Sequence, residues 1–174
     1  MSSEWNNVFR DRMRGFEIKH PHSDNEIPVS IKVRVISGCF HREHSPYAYK
    51  IIDDYLSCIP ADERDFIFEE HESGPEILVF LAVTTAGLTL AKSVVDLITA
   101  IVKARSESVM KGDHPQAPVE LIVRRFDKTG EIREEKVLHF NYSDPINPGE
   151  IERKLTESTK QLLSDNSKPR REKK

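Results

Sequence analysis

Residues 76–105 read EILVFLAVTTAGLTLAKSVVDLITAIVKAR. The polar members Thr85, Thr89, Lys92, Asp96, Thr99 and Lys103 recur at spacings of 4, 3, 4, 3 and 4. That rhythm draws one narrow stripe along a helix and leaves the rest of its surface to Leu, Val, Ile and Ala. Ser73-Gly74-Pro75-Glu76 stands before the run with the spacing of a capping box. Lys103 and Arg105 close it where the helix dipole favours cations. The segment therefore predicts one long helix, Glu76–Arg105, covered on most of its sides. Such a helix is both core and candidate interface, with Leu88, Val95 and Ile98 as the candidate interface positions.

A membrane span competes with that reading. The uncharged stretch Ile77–Ala91 has 15 residues. It would cover about 22 Å of a hydrocarbon core about 30 Å thick. Continuing it brings in Lys92 and Asp96, each costing about 2.5–3.5 kcal/mol near mid-membrane. A buried helix is the favoured reading, and a membrane-tethered accessory protein using residues 76–105 is the alternative.

Upstream, Ile27–Ile36 alternates: Ile27, Val29, Ile31, Val33 and Val35 point one way, and Ser30, Lys32 and Arg34 the other. This is a half-buried strand. Ser45-Pro46 supplies an N-cap and a first-turn proline. The helix that follows presents Tyr47, Ile51, Ile52, Tyr55, Leu56 and Ile59 on one face and stops at Pro60. Asp65–Glu70 is a short strand. Downstream, Val119–Phe126 and Glu131–Phe140 form a hairpin through Asp127-Lys128-Thr129-Gly130. Asn147 opens a final helix with Ile151, Leu155, Leu162 and Leu163 on its buried face. The expected fold is α+β, ordered β-α-β-α(long)-β-β-α, with a four-stranded sheet packed against helices. Residues 1–26 read as an N-terminal extension, a short amphipathic helix plus linker. Residues 27–163 form the α+β domain, and 164–174 a disordered basic tail.

Charge narrows the partners. Residues 168–174 hold five Lys/Arg and one Glu, which leaves the remainder with 21 basic and 28 acidic residues, a net of −7. A body that acidic repels phosphate backbones, so only weak nucleic-acid contacts by the tail are expected. Two cysteines and no apolar run behind the first residues point to a reducing cytoplasm.

Candidate chemistry is sparse. Cys39, His41 and His44 offer thiolate and imidazole donors at local spacing, with His20 and His22 as further donors. A small metal-binding protein or metal-dependent enzyme using these residues is an alternative, although histidines in a polar loop are more commonly solvated. The run Glu69, Glu70, His71 and Glu72 is explained by the dipole of the expected long helix. Asp53 and Asp54 lie on a solvated helix face. No nucleophile elbow and no phosphate-cradling glycine loop occurs. No cofactor is expected.

The run GPEILVFLAVTTAGLTLAKSVVDLITAIVKAR, followed by VELIVRRFDKTGEIREEKV and a short terminal helix, resembles the effector-associated constant component family. The upstream strand and the helix YAYKIIDDYL fit the same order, so the resemblance covers residues 27–163. It implies a small bacterial adaptor-like component of a conflict (immune-type) system, encoded beside effectors such as peptidases and nucleotide-dependent switches. The family supplies no catalytic residues. The expected function is a non-enzymatic interaction module with a protein partner, a separately encoded effector, and homo-oligomerisation as a second mode.

Overall fold

The computed structural model describes residues 2–36, 42–70, 76–84, 92–113, 117–127 and 129–164. The elements run α1 (Ser2–Lys19), β1 (Glu26–Val35), α2 (Pro46–Ser57), a 3-10 turn (Ala61–Glu63), β2 (Phe66–Glu70), β3 (Glu76–Thr84), α3 (Lys92–Met110), β4 (Val119–Phe126), β5 (Ile132–Phe140) and α4 (Pro148–Ser164). The class is α+β, but the sheet has five strands, not four, in the order β2-β3-β1-β4-β5. Every neighbouring pair is antiparallel.

The extra strand comes from the segment that decided the sequence reading. Glu76–Thr84 is β3, not the first third of a long helix. It lies between β2 and β1, with Ile31 opposite Val79 and Phe68 opposite Val79 on the other side. Ile77, Val79, Leu81 and Val83 face the main core, while Leu78 and Phe80 face a second core on the opposite side of the sheet. A strand covered on both faces loses its period-two signal and reads as a continuous apolar run, which periodicity cannot separate from a buried helix. Glu76 therefore opens a strand and caps no helix; Ser73, the other half of the supposed box, lies outside the described residues. With residues 76–84 in a sheet, the proposed membrane-tethering helix does not exist. Among the described residues no helix is long and apolar enough to cross a membrane.

The helical remainder, α3, begins at Lys92 and runs on to Met110, past the end expected at Arg105. Residues 106–110 continue the helix because Ser108 and Val109 are buried. It ends in a Schellman turn. The Gly112 amide donates to the Val109 carbonyl and the Asp113 amide to the Ser108 carbonyl. Gly112 supplies the φ of +109° that this turn requires.

α2, α3 and α4 share one face of the sheet. Ile52 and Leu56, Leu97, Ile98 and Ile101, and Ile151 and Leu155 meet Val29, Ile31, Val33, Leu121 and Val123 there. The N-terminal extension is part of the same body. α1 lies on the opposite face and inserts Phe9, Met13 and Phe16 over Leu78 and Phe80. Full burial of each such side chain is worth about 1.5–3 kcal/mol. The molecule thus has three layers, and the sheet separates two cores.

The β4–β5 turn is held by one carboxylate. Asp127 Oδ1 accepts hydrogen bonds from the Thr129 amide (2.9 Å), the Thr129 hydroxyl (2.6 Å) and the Glu131 amide (3.0 Å). Arg133 Nε donates to Oδ2 at 2.9 Å. Gly130 takes the positive φ, +81°. The Thr129 hydroxyl leads these contacts, and together with Arg133 they hold the Asp127 carboxyl well below its ordinary range. A depressed pKa contributes stability that is present above the unfolded value, about 3.9, and lost as pH falls below it. The Thr129 and Glu131 amides should therefore lose protection as pH is lowered through and below about 4, read by two-dimensional NMR. Asp127→Asn should abolish that dependence and cost about 1 kcal/mol, since solvent screens much of the charge.

Candidate functional site

Of the five large apolar side chains exposed among the described residues, four gather at one end of the domain, and the fifth, Ile18, stands apart on α1. Ile36, Tyr47, Met110 and Tyr142 are 46%, 48%, 80% and 38% exposed. All four belong to the end of the domain where β1 and β5 finish, α2 begins and α3 stops. Short contacts tie these segments together. The Ile36 amide donates to the Pro118 carbonyl at 2.9 Å, just ahead of β4. The Ser106 hydroxyl of α3 donates to the Tyr142 carbonyl. Asp113, after α3, accepts the Ala48 amide at 3.1 Å and the Tyr47 amide at 3.4 Å. The result is a polar-braced platform carrying four apolar side chains in solvent, a combination that marks interaction surfaces more often than plain surface does.

Beneath Tyr47 the bracing continues inward. Ser45 occupies the N-cap position of α2, yet its side chain makes no capping hydrogen bond. It accepts instead from Arg105 Nη1 at 3.1 Å. Asp113 takes over the cap, satisfying two of the amides that a helix N-terminus leaves open. Arg105 is 2% exposed. Burial pushes its pKa down, and Asp113 opposes that shift. The sequence reading placed Arg105 in the last turn of a helix and Ser45 as a cap. The structure joins them across 60 positions, a pairing that no local spacing signals.

Beside the platform lies an open cleft of about 310 Å³ lined by Arg42, Pro46, Tyr49, Lys50, Asp53 and Asp54. Arg42 sits over the Tyr49 ring, 4.9 Å from its centroid. It forks to Asp53 at 2.6 and 2.9 Å and to Glu70 at 2.6 and 3.0 Å. The hydrogen bonds to Asp53, then Glu70, raise the Arg42 pKa, and the same contact lowers that of Asp53. This clamp fastens the turn before α2, and α2 itself at Asp53, to the edge strand β2 and leaves both carboxylates committed. The acidic run thus has a different explanation from the one expected. Glu69 pairs with Arg12 of α1 and Glu70 with Arg42, the next described element is the strand β3, and His71 and Glu72 lie outside the described residues. Asp54 pairs with Lys50, as a solvated face permits.

Cys39 and His41 lie outside the described residues. His44 is exposed in a turn, and His20 stacks on Phe16 with ring centroids 5.2 Å apart. Among the described residues no group of His, Cys, Asp or Glu is arranged to hold a metal ion. Of the candidate interface positions, Val95 and Ile98 are buried in the main core, 5% and 0% exposed, and Leu88 lies outside the described residues. Val95 and Ile98 are thus covered by this chain itself.

On the opposite sheet face, Glu120 bridges Arg34 (2.9 Å) and Lys136 (2.9 Å). Burial disfavours its charged form, but the hydrogen bonds from Lys136 and Arg34 outweigh this and hold its pKa below the ordinary value. A satisfied cross-strand ladder of this kind serves the sheet.

No protein-family model, curated protein or solved structure matches this chain.

Proposed function

We propose that this protein is a non-enzymatic interaction module, an adaptor for a separately encoded effector, as its resemblance to the effector-associated constant component family implies. The observation that carries this reading is the clustering of Ile36, Tyr47, Met110 and Tyr142 at one braced end of the domain. Side chains of this size in contact with water gain by burial against a partner. Tyrosine and methionine also suit such a surface, because they offer large contact area with a polar tip or a flexible chain. The ionic clusters around the platform, Arg42 with Asp53 and Glu70 above all, serve to hold it rigid.

The test uses co-purification with the products of the neighbouring genes. The wild-type chain should retain one of them. The double variant Tyr47→Asp/Met110→Asp should release it while keeping its unfolding free energy within about 1 kcal/mol of wild type. Unchanged retention by the folded double variant would sink the assignment of this surface.

A further inference from the structure

We draw no further inference here: the strongest candidate, the open cleft beside the start of α2 lined by Arg42, Tyr49, Lys50, Asp53 and Asp54, carries nothing beyond the fold, because its charged groups pair with one another and with Glu70 and nothing in the structure shows what would occupy it.

Discussion

Ile98→Asp should abolish cooperative folding, at a cost of at least about 5 kcal/mol. Ile98 is fully buried on α3, in the core shared with α2, α4 and the sheet. A carboxylate there would lie among apolar side chains. Arg105 lies two turns along the helix, about 10 Å away, and is already engaged with Ser45. The charge would be desolvated without compensation while the packing of an isoleucine is lost. Urea titration followed by far-UV circular dichroism checks this, with Met110→Asp as the control. Met110 is 80% exposed, so its variant should unfold within about 0.5 kcal/mol of wild type. A folded, monomeric Ile98→Asp chain would mean that this face of α3 is an interface after all.

The second large effect is expected at Asp113. Asp113→Ala should destabilise the chain by about 3 kcal/mol, the sum of a lost helix cap and a weakened buried cation. Its carboxylate accepts from Tyr47 and Ala48 at the start of α2. It is also the charge that favours the protonated form of the buried Arg105. Neither the Ala48 amide nor the guanidinium gains a substitute from water when the carboxylate goes, because Ala48 and Arg105 are buried. Asp113→Asn should recover part of the cap and little of the charge, giving an intermediate loss. Chemical denaturation of the three chains separates the two contributions. Equal stability of Asp113→Ala and wild type would show that Ser45 caps α2 in solution.

Where the local pattern was unambiguous, the chain's elements were legible. β1 alternates because its second face carries Ser30, Lys32 and Arg34 while its first meets the helices. The β4–β5 hairpin was legible because Asp127 and Gly130 carry turn chemistry that acts within a few residues. α2 and α4 announced themselves through amphipathic faces and a proline or asparagine at their starts. β3 was misread for a reason that lies in the tertiary structure. Its apolar content on both faces answers to α1 on one side and three helices on the other, and neither partner is visible from residues 76–84 alone. Of the polar stripe that suggested one long helix, Lys92, Asp96, Thr99 and Lys103 lie on α3, and Thr85 and Thr89 lie outside the described residues.

The proposed interaction surface was illegible for a related reason. Ile36, Tyr47, Met110 and Tyr142 come from four separate segments, and each taken alone reads as an ordinary member of a strand, helix or loop. Only the folded chain, by closing β1 and β5 at one end and turning α3 back onto α2 through Gly112 and Asp113, brings them to the same end of the domain. The sequence by itself determined the class, the hairpin and most helices, because those depend on periodicity, capping and turn residues within a few positions of one another. The fifth strand, the division into two cores and the apolar platform were decided by tertiary structure, because each depends on which faces remain uncovered once all layers have packed.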